Sequence, residues 1–201
     1  MPRITLIELV DYRKWTEELG YDREGLIQIE QSRIYNTIQK LFWLNNCFVL
    51  PFRYDYYIAL TNGLNREKLS EIAGQIERET PYGVKTVSTT HKYPSIALYR
   101  ASMIIRNNKF YYEDGDEDKY VIIHLDLNNI TEMAFETSIY EAYLTILDVY
   151  RFISNYVFKH NGIASYLGGD NLLAILPEEK YELFLEIIPT YIKAGVGISH
   201  N

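Results

Sequence analysis

Residues 162–176 read GIASYLGGDNLLAIL. Two apolar runs, GIASYL and LLAIL, flank two glycines, an acid and an amide. Gly168, Gly169, Asp170 and Asn171 all tolerate the positive φ that primed hairpin turns demand, so the stretch predicts a tight β-hairpin. The same turn can present Asp170 to a metal ion. This stretch alone leaves both readings standing, and the rest of the chain must weigh them.

Working outward, the chain reads as strand, helix, strand, strand, helix, strand, and then the same series again. RITLIELV (3–10) is rich in β-branched residues and predicts a strand. Residues 24–42 predict a helix with Ile27, Ile34, Ile38 and Leu41 on one side. CFVLPF and YYIALT predict strands around a turn at Arg53 to Asp55. NREKLSEIAGQIERE predicts a helix capped by Asn65, YGVKTVSTT a strand, and residues 94–107 another helix. The acidic stretch 111–119 predicts a solvated linker. Beyond it, YVIIHLDL (120–127) predicts a strand, and residues 133–159 a long amphipathic helix. Phe135, Ile139, Ala142, Ile146, Val149, Ile153 and Val157 keep helical spacing there. After the hairpin, PEEKYELFLEII predicts a helix with Pro177 at its start, and IKAGVGIS a last strand.

The two series share a register. Asp11 and Asp55 lie 44 residues apart, as do Asp126 and Asp170, and the halves are offset by 115. The expected architecture is therefore α+β: tandem duplicated ferredoxin-like βαββαβ units, with antiparallel sheets and helices on one face. One unit covers 1–110 and the other 120–201.

The 201 residues are 47% hydrophobic, enough for one large domain or two small ones. A net charge of −7 argues against nucleic-acid binding, which needs a basic face. It leaves room for a small anion held through metal ions. The one cysteine, Cys47, cannot form an internal disulfide, which fits a reducing cytoplasm. The N-terminus MPRITLIELVDY carries acids in its apolar run and does not read as a signal peptide. No apolar run approaches the ~18 residues of a membrane span.

In a split βαβ sheet the first strand neighbours the hairpin, so Asp126 and Asp170 are expected at one edge. Two carboxylates there repel unless a cation lies between them. Hard oxygen ligands beside a loop suit Mg²⁺, which also takes substrate phosphates. Gly168 and Gly169 let a triphosphate approach the backbone. LNNIT (127–131) leads into the long helix, and Asn128, Asn129 and Thr131 are candidates to supplement its N–H groups around phosphate. Asn171 belongs to the same turn. His124 alternates with Asp126 and is a candidate catalytic group.

At HLDLNNIT, GGDN and KAGVGIS the chain resembles archaeal GTP cyclohydrolase III. DYRKWT, QSRIYNTI and LTNGL match that family in order and spacing, and the resemblance covers nearly the whole chain. It implies a fold similar to the palm of class III nucleotidyl cyclases. It further implies Mg²⁺-dependent hydrolysis of GTP, with two or more Mg²⁺ ions and a monovalent cation such as K⁺ as activator. The imidazole ring opens at C8, the formyl group stays on the product, and two orthophosphates leave. The product would be 2-amino-5-formylamino-6-(5-phosphoribosylamino)pyrimidin-4(3H)-one, an early flavin and deazaflavin precursor. Carried over by position, Asp126, Asp170 and the Leu127 carbonyl hold metal. Gln31 and Arg33 match the family's QSR and are assigned to substrate, as are Asp11 and Asp55. The enzyme is expected to be a homo-oligomer, a dimer or tetramer.

Two departures stand out. The family tends to read Asp-Asn-Tyr where this chain has Val10-Asp11-Tyr12, which moves the acid by one residue and flips its face. The family also continues past GVGIS with a helix and a strand. The counterpart of helix 94–107 would fall at 209–222, so the second unit is expected to lack them. Two other functions are weighed against the cyclohydrolase. A nucleotidyl cyclase would carry a second acid after GGD, where Asn171 stands, and would release pyrophosphate. A guanine-nucleotide sensor would release neither product.

Overall fold

The computed structural model describes residues 1–115, 120–188 and 192–198. Residues 116–119 of the expected linker and Ser199 of the last motif lie outside them. The chain divides into two compact units, residues 2–91 with 97–117, and residues 118–201 with 1 and 92–96. It is an α+β protein with sheets that are largely antiparallel.

In the first unit, β1 (Arg3–Leu9) runs between β3 (Tyr56–Leu60) and β4 (Val84–Thr90). With β2 (Phe48–Pro51) and β5 (Phe110–Tyr112) the sheet order is β2-β3-β1-β4-β5. Ile7 and Leu9 of β1 pack with Ile34, Ile38 and Phe42 of α2 (Glu24–Trp43) and with Leu69, Ile72 and Ile76 of α3 (Arg66–Glu79). The apolar side chains recur every three or four residues in both helices, so each helix lays one stripe on the sheet. Asn65 caps α3 as expected, its Oδ1 accepting from the Lys68 N–H at 2.8 Å. A short helix, α1 (Tyr12–Glu18), follows β1 and had no clear periodicity in the sequence. The acidic stretch begins as β5, parallel to β4. There Glu113 accepts from the Thr90 N–H at 2.8 Å and pairs with Arg100 of α4 (Pro94–Ile104).

The second unit holds β6 (Val121–Leu127), β7 (Ile163–Gly168), β8 (Asn171–Leu176) and β9 (Ile192–Ile198), in the order β7-β8-β6-β9. The GGDN hairpin is present, with a bulge between Tyr166 and Gly168. Only its glycines take positive φ, 106° at Gly168 and 60° at Gly169.

The expected long helix is two. α5 (Ile130–Glu136) ends at Thr137, and α6 (Ile139–Lys159) starts afresh with the Ser138 hydroxyl accepting from the Glu141 N–H at 3.1 Å. Ala142, Ile146, Val149, Ile153 and Val157 are buried against the sheet. Phe135 and Ile139 are not: they are 87% and 81% exposed, because the break takes them off the stripe. The expected helix after Pro177 is a 3₁₀ turn, Glu178–Lys180, followed by α7 (Tyr181–Ile187).

Candidate active site in the second unit

On β6, Val121, Ile123, Leu125 and Leu127 point into the core beneath α6. Strand alternation sends Ile122, His124 and Asp126 to the opposite face. His124 is exposed and Asp126 half-buried. Asp126 lies opposite Asn171 on β8, and the Leu127 N–H donates to the Asp170 carbonyl at 3.1 Å. The hairpin thus brings Asp170 beside Asp126 at one sheet edge, as the sequence predicts. Asn171 Nδ2 donates to Asp170 Oδ1 at 2.7 Å, which orients that carboxylate. Among the described residues neither acid is ion-paired.

One cation was missed by sequence reasoning. Lys193 on β9 lies directly opposite Asp126 and is exposed. It opens the KAGVGIS stretch, but the antiparallel register that gives the lysine its place is not a local signal in the sequence.

The first unit repeats this edge with other residues. The Leu9 N–H donates to the Asp55 carbonyl at 2.8 Å, as Leu127 does to Asp170. Asp55 therefore corresponds to Asp170. The counterpart of Asp126 is Glu8, not Asp11. The hairpin strands keep the offset of 115 (Phe48 to Ile163, Tyr56 to Asn171), but the first strands are offset by 118 (Arg3 to Val121). The connection between first and second strands is three residues shorter in the second unit, so equal acid spacings do not mean equal places. Asp11 instead corresponds to Asn129: both adopt left-handed φ, 49° and 63°, at the starts of α1 and α5. The shared conformation explains why these positions hold Asp and Asn.

The first-unit acids are already neutralised. Glu8 pairs with Lys85 at 3.4 Å, and Asp55 with Arg53 at 2.8 Å. Lys85 lies opposite Glu8 as Lys193 lies opposite Asp126. The bare pair in the second unit is the better donor set for a hard divalent cation: two carboxylates, with the Leu127 carbonyl in the adjoining residue.

The remaining candidates divide. Asn128 and Gly168 are half-buried, and Asn129, Thr131 and Gly169 are exposed. A Cβ added at Gly168 would meet nothing within 4 Å, so φ alone requires glycine there and the space before it is free. Because α5 spans only seven residues and the long helix begins at Ile139, LNNIT does not stand at a long helix's N-terminus. In the first unit, Gln31 is buried and donates to the Tyr12 hydroxyl. Arg33 is engaged by Glu30 at 2.9 Å and by the Glu79 carboxylate and carbonyl at 3.1 and 2.9 Å. Those contacts tie α2 to the end of α3.

A family model described as GTP cyclohydrolase III matches residues 1–200. The chain belongs to this family. GTP cyclohydrolase III of Saccharolobus islandicus is 33% identical over 201 residues, covering 99% of this chain and 87% of the relative. GTP cyclohydrolase III of Aeropyrum pernix is 34% identical over 203 residues, with 98% and 84% covered. Among solved structures, a bacterial light-regulated adenylyl cyclase is 13% identical over 98% of this chain and 72% of its own, at a TM-score of 0.29, a likeness too slight to assign a fold. GTP cyclohydrolase III membership therefore rests on sequence, and the acid pair lies in the motifs that carried the resemblance. No helix among the described residues is long and apolar enough to cross a membrane.

Proposed function

We propose that this chain hydrolyses GTP, opening the imidazole ring at C8 while the formyl group stays on the pyrimidine product. The β- and γ-phosphates leave as two orthophosphates, and the product feeds flavin and deazaflavin synthesis. The observation that carries the reading is the unpaired Asp126–Asp170 edge, in a chain whose relatives bear the name GTP cyclohydrolase III.

Asp126, Asp170 and the Leu127 carbonyl would hold Mg²⁺. When bound, Mg²⁺ neutralises phosphate charge and polarises the phosphoryl oxygens. Lys193, across from Asp126, meets the phosphates as a point charge. Asn128, Asn129, Thr131 and Asn171 supply amide and hydroxyl donors, and Gly168 and Gly169 leave room for the chain of phosphates. His124 shares the face of Asp126 and is placed for proton transfer. Asp11, Asp55, Gln31 and Arg33 are assigned to substrate by the family resemblance alone. The enzyme works in the cytoplasm as a homo-oligomer, with K⁺ or a similar cation as activator.

The two sheets also read as a tandem duplication of one ferredoxin-like βαββαβ unit. The matching order of β2-β3-β1-β4 and β7-β8-β6-β9, and the matched Leu9–Asp55 and Leu127–Asp170 hydrogen bonds, support this.

The test is an incubation of GTP with the protein, with and without Mg²⁺, followed by separate assays for orthophosphate, pyrophosphate and formate. Mg²⁺-dependent orthophosphate without the other two is expected. Pyrophosphate would indicate a cyclase, formate a different ring chemistry, and no release a sensor.

A further inference from the structure

The turn that carries Asp170 enters it through two glycines, Gly168 and Gly169, both at positive φ, so its backbone is intrinsically loose just before the acid. Three hydrogen bonds hold it. The Tyr166 hydroxyl donates to the Gly169 carbonyl at 2.9 Å. The Leu127 N–H donates to the Asp170 carbonyl at 3.1 Å, and Asn171 Nδ2 to Asp170 Oδ1 at 2.7 Å. A carbonyl oxygen lies in the plane of the peptide that follows it. The bond to Gly169 therefore holds the peptide plane entering Asp170, and the bond to the Asp170 carbonyl holds the plane leaving it. With both planes held, the direction in which the Asp170 side chain leaves the backbone is set, and the Asn171 amide sets the carboxylate at its end. The Tyr166 ring is itself anchored. It packs on the core of the second unit, beside Tyr150 at a centroid separation of 6.0 Å.

The first unit closes the same hairpin without this contact. Pro51 stands opposite Tyr57 as Tyr166 stands opposite Leu172, and proline has no hydroxyl to offer. There the acid is held by Arg53, whose Nη2 lies 2.8 Å from the Asp55 carboxylate. Folding of the hairpin thus does not need the tyrosine. The tyrosine contact occurs in the unit whose acids form no ion pair among the described residues. We propose that Tyr166 is a positioning residue: its hydroxyl fixes the Gly169–Asp170 peptide, so that the Asp170 carboxylate stays beside Asp126 for a divalent cation with no basic side chain to hold it there. The inference rests on the proposed metal-holding role of the two acids, and adds the residue that keeps one of them in place.

Titration of the nucleotide-free protein with Mn²⁺, read by electron paramagnetic resonance, tests it on Tyr166→Phe. Mn²⁺ takes the same hard oxygen ligands as Mg²⁺. Phenylalanine keeps the ring, its core contacts and the wall it shares with Gly169 in an apolar cavity of about 470 Å³, so only the hydroxyl goes. Water can satisfy the exposed Gly169 carbonyl in its place, but water is not anchored to the core. The Mn²⁺ dissociation constant is expected to rise about 3- to 10-fold, with the melting temperature of the metal-free protein unchanged. In turnover, the Mg²⁺ concentration for half-maximal rate should rise by the same factor, while KM for GTP at saturating Mg²⁺ holds. Wild-type Mn²⁺ affinity in Tyr166→Phe would overturn the inference. Weaker binding together with a lower metal-free melting temperature would make the hydroxyl a contact of the fold alone and overturn it too. Asp170→Asn separates the two readings. If it abolishes Mn²⁺ binding while Tyr166→Phe leaves binding unaltered, the metal site stands and the positioning role falls. If the wild type binds no Mn²⁺, or Asp170→Asn binds it equally well, both fall.

Discussion

Two carboxylates distinguish the second unit from the first, and the difference lies in what surrounds them. Glu8 and Asp55 each have a basic neighbour in place, Lys85 and Arg53. Among the described residues, Asp126 and Asp170 form no ion pair. Losing a direct metal ligand costs several kcal/mol of transition-state stabilisation, so Asp126→Ala should lower kcat roughly a thousandfold or more. Asp55→Ala removes the ion pair with Arg53, and if Asp55 positions substrate the loss should be ~1–2 kcal/mol, about tenfold. Measuring kcat for both at saturating Mg²⁺ decides the matter, because equal losses would place chemistry in the wrong unit. Asp170→Asn is a finer probe. Asn suits the turn, so the melting curve should stay put while phosphate release disappears. Near-normal turnover with a normal melting curve would leave the hairpin as a turn and nothing more.

At the scale of elements, the strands and hairpins were legible because period-two patterns and turn residues are local signals. The GGDN hairpin, the strand with Asp126 and the Asn65 cap all follow from a few adjacent residues. What escaped was non-local or conformational. Lys193 owes its place to antiparallel register across β6 and β9. Glu8 took the place expected of Asp11 because the intervening connection differs by three residues, which spacing between acids cannot reveal. The α5–α6 break was hidden because Phe135 and Ile139 happen to keep helical spacing with the buried stripe. Ser138, three residues before Glu141, is the capping signal that marks the break. Ser138→Ala should therefore cost ~1 kcal/mol of unfolding free energy. Urea denaturation with unchanged slope would record it, whereas an unaltered midpoint would mean that α6 does not start at that cap.

Over the whole molecule, the sequence family and the acid pair support the proposed reaction. The first unit keeps the same sheet core and spends its acids on internal ion pairs. The second has an acid couple that is not ion-paired among the described residues, a lysine opposite Asp126 and an apolar pocket lined by Gly169. A chain with net charge −7 repels a triphosphate on average, so in the proposed reaction local cations would do the recruiting: Lys193, and metal if Asp126 and Asp170 hold it. The sharpest measurement follows GTP labelled with carbon-13 at C8 by nuclear magnetic resonance while orthophosphate is counted. The label should move to a formyl carbon still bonded to the nucleotide product, with two orthophosphates per GTP, and both signals should vanish in Asp126→Ala. Label released as formate, label still in an intact imidazole ring, or phosphate leaving as pyrophosphate would contradict the ring-opening reaction proposed for this edge.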